Sequence, residues 1–387
     1  ASALAGIWYL AIYMLGFGFS LGLQVVVARR NGERYYSETG KTFFQGLFFL
    51  SGLAVFLCLL SKLFSPIILS RLITSAEVYH AVIDYLDGRI WGLLFSFPFL
   101  ALRSFLVGIT RTKALNMAAL TAVLINIPGN WLLIFHWNMG IAGAAIASSF
   151  AEACSLAVLA IHVLRKMDRR FYGLHCRLDK GVLLHVCRVS VWSMFHSFIS
   201  VAPWFLFFVA IEHLGEMQLA VANILRSIST LFFVIVNSFA ATTGSLVSNL
   251  IGADERGQVF PLCSRVIRLG YAIGFPLITL ALIFHQSVIG VYTDNPVIVQ
   301  TSWLPFVVML LNYVFALPGY VYMNAVTGTG ATRTAFIFQA TTITAYLLYL
   351  WGLSHWNVPL AVYWTVEYLF VIGLGVQSVI YLKYKHY

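Results

Sequence analysis

Gly108-Ile109-Thr110-Arg111-Thr112 returns as Gly330-Ala331-Thr332-Arg333-Thr334, an offset of 222 (330 less 108). His136-Trp137-Asn138 returns as His355-Trp356-Asn357, an offset of 219 (355 less 136). Asn31-Gly32-Glu33 and Ile251-Gly252-Ala253 lie 220 apart (251 less 31), and each closes a long apolar run. Three markers in one order at nearly one offset describe a duplicated unit of roughly 220 residues. In a chain this apolar, such a duplication points to a transporter built from two related halves around a central pathway.

The apolarity is extreme. Hydrophobic residues make up 60% of the 387 and charged residues only 10%, where a soluble domain carries about 25% charged residues. Mean hydropathy is +0.86. The chain is a polytopic all-α membrane protein, with too many long apolar runs for a signal peptide to account for them. The formal net charge of +10 does not indicate nucleic acid, because the basic residues fall in short connectors between apolar runs. Cys58, Cys154, Cys176, Cys187 and Cys263 are odd in number and lack metal-ligand spacing, which excludes a disulfide framework or a zinc site.

Apolar runs of helical length predict eleven membrane helices, over about 4–28, 43–73, 80–108, 113–136, 139–165, 181–212, 217–250, 258–284, 297–328, 332–352 and 358–383. Pro98, Pro128, Pro203, Pro276, Pro305 and Pro318 lie inside these spans. Each removes a backbone hydrogen bond that neighbours must restore, either at a packing kink or beside a cavity. Connectors alternate in character. One set holds Arg29, Arg30, Arg34 and Lys41, then Arg111 and Lys113, then Arg165 to Lys180, Arg256 to Arg268, Arg333, and Lys383 with Lys385. The other set is nearly free of Lys and Arg and contains Trp137 and Trp356. The positive-inside rule assigns the first set to the cytoplasm and the two tryptophans to the outer aromatic belt.

Under the 220 offset the span at 217–250 pairs with 4–28, so the partner of 181–212 would end just before residue 1. Ala1 is not an initiator methionine. The expectation is therefore eleven of twelve helices, with the C-terminus cytoplasmic and the two six-helix repeats parallel. The domains read as an amino-terminal lobe at 1–165, a basic cytoplasmic linker at 166–180 and a carboxy-terminal lobe at 181–387.

These features resemble the multidrug and toxic compound extrusion (MATE) family over essentially the whole chain. Val25-Val26-Val27-Ala28-Arg29-Arg30-Asn31-Gly32 resembles the run ending that family's second helix, and Leu246-Val247-Ser248-Asn249-Leu250-Ile251-Gly252-Ala253 the run ending its eighth. Asn126-Ile127-Pro128-Gly129-Asn130 and Gly140-Ile141-Ala142-Gly143-Ala144-Ala145-Ile146-Ala147 resemble its fifth and sixth helices. The two G-x-T-R-T segments fall at its fourth-to-fifth and tenth-to-eleventh turns. Ala222-Asn223-Ile224-Leu225-Arg226-Ser227-Ile228 resembles a branch common in gut Bacteroidales.

The resemblance implies a two-lobed antiporter of the bacterial inner membrane. Such a protein exports amphipathic or cationic compounds in exchange for Na+ or H+. It implies no other cofactor, and a monomer with small organic substrates and the bilayer as its partners. The family's amino-lobe ion site takes an aspartate from the first helix, which this chain lacks. Its other positions fall on Asn126, Asn130 and Ser148, so any Na+ would be held by Asn126 and Asn130 with that absent aspartate. Another branch places a glutamate on helix seven and an aspartate on helix ten. Those places fall near His196 to Ser200 and near Ala316, with no acid at either.

Polar groups inside spans each need a reason, since a charge near the bilayer centre costs roughly 2.5–3.5 kcal/mol on insertion scales. Glu152 lies about thirteen residues, or roughly 20 Å, into its helix, among Ala147, Ser148, Ser149, Ala151 and Ala153. It reads either as a proton- or cation-coupling carboxylate or as a packing glutamate. Glu367 either binds cations or pairs with Arg226. Arg103 and Arg188 sit near cytoplasmic ends, where their heads can snorkel. His196 is either a proton-coupling group or a bonded core histidine. Asn237 and Asn312 are cavity contacts or interhelical glue. Together Glu367, His196, Arg226, Asn237 and Asn312 form the candidate substrate cavity. The 31 Phe, 19 Tyr and 10 Trp suit cation–π recognition.

Other functions fit less well. A lipid-linked glycan flippase of the same superfamily would favour a more basic cavity. An enzyme would need a motif such as HExxH or GxSxG, and neither occurs. No filter-like segment suggests a channel. No G-x-x-x-x-G-K-[ST] segment occurs either, so an ion gradient is the implied energy source.

Overall fold

An apolar run in a bilayer can satisfy its peptide groups without water by bonding them along its own helix. In the computed structural model of the chain, which describes residues 2–73, 75–356 and 358–387, all regular structure is helical. Among the described residues, eleven helices are long and apolar enough to cross a membrane. They are span 1 (Ala5–Gly32), span 2 (Tyr36–Arg71), span 3 (Ala76–Gly108), span 4 (Lys113–His136), span 5 (Gly140–Lys166) and span 6 (Lys180–Glu212). Span 7 (Glu216–Gly252), span 8 (Arg256–Ile283), span 9 (Trp303–Gly328), span 10 (Thr332–Ser354) and span 11 (Leu360–Tyr384) follow. Short helices His285–Gly290 and Pro296–Thr301 connect spans 8 and 9.

The limits differ most from the sequence expectation at two starts. Span 2 begins at Tyr36 rather than 43, its first turn carrying Glu38 paired with Lys41 at 2.6 Å. Span 9 begins at Trp303 rather than 297, because Pro296–Thr301 forms a helix of its own, opened by the Asn295 side chain. Trp137 and Trp356 are exposed at span ends. Asn357, part of the second His-Trp-Asn marker, lies outside the described residues.

The duplication is visible in the backbone. Arg34 and Asp254, 220 apart (254 less 34), both take left-handed φ values, 62° and 61°. Each follows a long span, and the turns close alike: Tyr35 N–H bonds the Arg30 carbonyl at 3.0 Å, and Glu255 N–H the Leu250 carbonyl at 2.9 Å. This six-to-one bond satisfies carbonyls that the helix end leaves free. A second pair of left-handed residues, Thr110 at 59° and Gly330 at 87°, is again 220 apart (330 less 110). The counterpart of Gly108 is therefore Gly328, and the two G-x-T-R-T segments sit two residues out of register. Helix irregularities repeat too. Span 3 tightens into a 3-10 turn at Ile90–Gly92, and span 9 is irregular at Asn312, with Pro98 and Pro318 following six residues after Gly92 and Asn312. Pro318 cannot bond the Val314 carbonyl, and the Tyr271 hydroxyl donates to it instead at 2.5 Å.

The chain forms two compact units, Ala1–Phe198 and Ile199–Tyr387. The division falls inside span 6, which stops at Ile199 and resumes at Ala202 with Pro203 next. The first part of span 6 packs closely on span 1 within the first unit. A Cβ on Gly18 or Gly22 of span 1 would overlap Ser193 or Ser190 of span 6, so the two backbones meet as small residues allow. The linker is docked as well. The Gln45 side chain donates to the Arg177 carbonyl at 2.8 Å and accepts from Asp179 N–H at 3.1 Å. Buried Tyr172 packs on Phe105 and Phe171; burial pushes its phenol up, with Arg111 beside it opposing. Gly22→Leu should lower unfolding stability by about 1–3 kcal/mol through overpacking. Thermal unfolding of the purified protein reads this, and an unchanged transition rejects the close approach.

Arg103 departs from the snorkelling expectation. Its guanidinium lies 5.7 Å over the Phe17 ring, and Nη1 is buried with no hydrogen-bond partner among the described residues. Arg188 is exposed.

Candidate functional site

In the first unit, span 4 carries Asn126 and Asn130 one turn apart, with Pro128 between them and a wide π turn at Leu132–His136 beyond. Asn130 Nδ2 donates to Asn126 Oδ1 at 3.0 Å, and Asn126 Nδ2 donates to Ser148 Oγ of span 5 at 3.1 Å. Ala147 lies against Gly129, whose missing side chain lets the two helices approach. The row is half-buried. Asn130 Oδ1 is buried with no partner among the described residues. The row thus ends in an open oxygen acceptor, and Asn126 Oδ1 and Ser148 Oγ keep lone pairs of their own. It contains no carboxylate.

Glu152 lies one turn beyond Ser148 on span 5, and its carboxylate is already engaged. Arg89 of span 3 grips it through both nitrogens, Nη1 to Oε2 at 3.0 Å and Nη2 to Oε1 at 2.5 Å. Ser96 Oγ donates to Oε2 at 3.0 Å. The arginine also lies 4.1 Å over the Tyr9 ring, and the Tyr9 hydroxyl is 3.5 Å from Ser96 Oγ. The side chains are 12% and 25% exposed. A bidentate fork this sheltered is a strong ion pair rather than a surface contact. Gly92, in the 3-10 turn of span 3, makes room for it: a Cβ there would press on Arg89, Glu152 and Ser149.

Within the second unit a cleft opens between spans 6, 7, 9 and 11. Its walls include Trp204, Phe232, Phe233, Tyr313, Tyr320 and Trp364. Asn312 and Glu367 also line it, so two of the five candidate cavity residues come together. Glu367, 9% exposed, accepts from the Tyr346 hydroxyl at 3.1 Å. The alternative pairing with Arg226 does not form: Arg226 is exposed and lies 4.7 Å over the Phe208 ring. Asn237 is exposed and outside the cleft lining. His196 lies on the part of span 6 that belongs to the first unit.

The MatE family profile matches residues 1–132 and 193–350. The chain belongs to the MatE family. It is a multi-pass membrane transporter and not an enzyme. Among relatives, the probable multidrug resistance protein NorM of Shewanella oneidensis is 22% identical over 374 residues, covering 94% of this chain and 77% of its own. The multidrug resistance protein NorM of Vibrio cholerae is 23% identical over 398 residues, covering 97% and 84%. Among solved structures, a multidrug resistance MATE family transporter of the MOP superfamily in an outward-facing conformation matches with a TM-score of 0.88 and 18% identity, over 100% of this chain and 86% of that one.

In this MatE-family chain, the residue that sequence reasoning missed is Arg89. A signal was present. Arg89 and Glu152 are opposite charges about nine and thirteen residues from the same side of their spans, and a buried acid at that depth calls for a cation. Tyr346 carried no comparable signal, being one tyrosine of 19.

Proposed function

We propose that the chain is a secondary antiporter of the bacterial inner membrane, with its C-terminus cytoplasmic. It exports amphipathic or cationic organic compounds in exchange for Na+ or H+, by alternating access of its two halves. The observation that carries this reading is the hydrogen-bonded row Asn130–Asn126–Ser148, which ends in an oxygen without a partner among the described residues, in a chain of a transporter family. The names of the NorM relatives support the substrate class.

Asn126, Asn130 and Ser148 hold the coupling ion through oxygen atoms, as a hard cation prefers. Glu152, one turn along, contributes the negative charge, and Arg89 is the cation it keeps when no ion is bound. The aromatic, acid-lined cleft of the second unit is the organic compound's side of the exchange. Its character speaks against a glycan-phosphate flippase, which needs basic groups. In proteoliposomes, ethidium efflux should respond to one imposed gradient, sodium or proton, and not to the other. Efflux indifferent to both, with insertion confirmed, overturns the antiport reading.

A further inference from the structure

The second unit holds a buried acid without a cation. Glu367 has one hydrogen bond, from Tyr346 to Oε1, and among the described residues it makes no ion pair, leaving Oε2 without a protein partner. Two more polar atoms on the cleft walls are unpartnered among the described residues, Asn312 Oδ1 and Trp364 Nε1. Both belong to spans whose backbone stays helical through them, Asn312 on span 9 and Trp364 near the start of span 11.

The duplication sharpens the contrast. The Asn126–Ser148 bond joins spans 4 and 5; the Tyr346–Glu367 bond joins spans 10 and 11. At the 219 offset that relates His136 to His355, Ser148 corresponds to Glu367 (367 less 148). The amide-and-hydroxyl contact of the first half is matched in the second by a phenol and an acid, facing an aromatic cleft.

We propose that this cleft binds the protonated primary or secondary amine of a small aromatic compound, with Glu367 and Asn312 accepting its N–H bonds and Trp364 donating to a neighbouring hydroxyl or carbonyl of the same molecule. The proposal deepens the transporter reading and rests on it for the ligand's biological role. A bare sodium ion fits poorly, because it asks for a shell of about six oxygens where most of the wall here is aromatic ring. An ammonium fits both surfaces, its charge meeting ring faces and its N–H groups meeting the acid and the amide. A quaternary ammonium has no N–H. It would leave Asn312 Oδ1 buried and unbonded and the Glu367 carboxylate without an N–H donor from the ligand, a penalty that discriminates strongly between near-isosteres.

Isothermal titration of the full chain in nanodiscs, with no gradient present, tests this using 2-amino-1-phenylethanol and its N,N,N-trimethyl analogue at a pH where the amine is protonated. The amine should bind about ten- to hundredfold tighter than the trimethyl analogue. Glu367→Gln, nearly isosteric and still able to accept from Tyr346, should shrink that preference to the part that Asn312 supplies. Asn312→Leu should weaken the amine by about three- to tenfold. Equal affinities for the two compounds, no binding of either, or a preference undiminished by Glu367→Gln overturns the proposal. Absent binding alongside intact gradient-driven efflux rejects the cleft alone. Binding without any such efflux rejects the transporter reading alone.

Discussion

Replacing Arg89 with Met should lower the stability of the purified protein by about 3–5 kcal/mol. Removing the arginine leaves Glu152 with only the Ser96 hydroxyl, facing Tyr9 and the small residues of span 5. A carboxylate stripped of its partner in a sheltered site loses far more than the pair itself contributes, because the desolvation of both charges was offset only by their contact. The double variant Arg89→Met/Glu152→Leu should therefore recover most of the loss, since an apolar replacement for a buried pair is often neutral. Thermal and denaturant unfolding in one detergent would read both. A single variant within about 1 kcal/mol of the wild type would mean that the pair behaves as a solvated surface contact.

That ion pair also marks where the sequence stopped being informative. The spans were legible because a bilayer admits one solution for an apolar run, and the duplication because turn geometry demands particular residues. Arg34 and Asp254 close equivalent Schellman turns, each following a run that the sequence had already delimited. The rotation of each helix was not legible. When nearly every face is apolar, no single stripe says which side meets protein and which meets lipid. Glu367 and Arg226 therefore looked like a pair on depth alone, yet Glu367 lies in the cleft with Tyr346 and Arg226 is exposed over Phe208. Register within the repeat was also hidden. The matching G-x-T-R-T letters lie two residues away from the structural equivalence, because the left-handed backbone at Thr110 and Gly330 fixes the turn and the flanking letters do not. By contrast, the sequence groups Asn126, Asn130, Ser148 and Glu152 as ion-coupling candidates; the first three are bonded in one row, and Glu152 is held by Arg89.

The row itself invites the second large effect. Asn126→Ala with Asn130→Ala removes every amide oxygen from the proposed ion position and leaves Ser148 and the Arg89–Glu152 pair in place. The one interhelical bond lost, Asn126 to Ser148, costs only about 0.6–2 kcal/mol, and the other lies within span 4, so the variant should still fold and insert. Gradient-driven efflux should nonetheless fall by about tenfold or more, because an ion bound through two fewer oxygens loses at least one charge-assisted contact, worth roughly 1.5–3 kcal/mol. Substrate binding measured without a gradient should stay unchanged, since the aromatic cleft lies within the other unit. The split between coupling and binding is the informative readout. A packing role for the asparagines predicts lower stability and lower binding together, with residual efflux still responding to the gradient. An ion-binding role predicts efflux that no longer responds to the gradient, in a protein that binds its compound as before. Gradient response that persists in the double variant would leave Glu152 and Arg89 as the remaining coupling machinery and would remove the asparagine row from it.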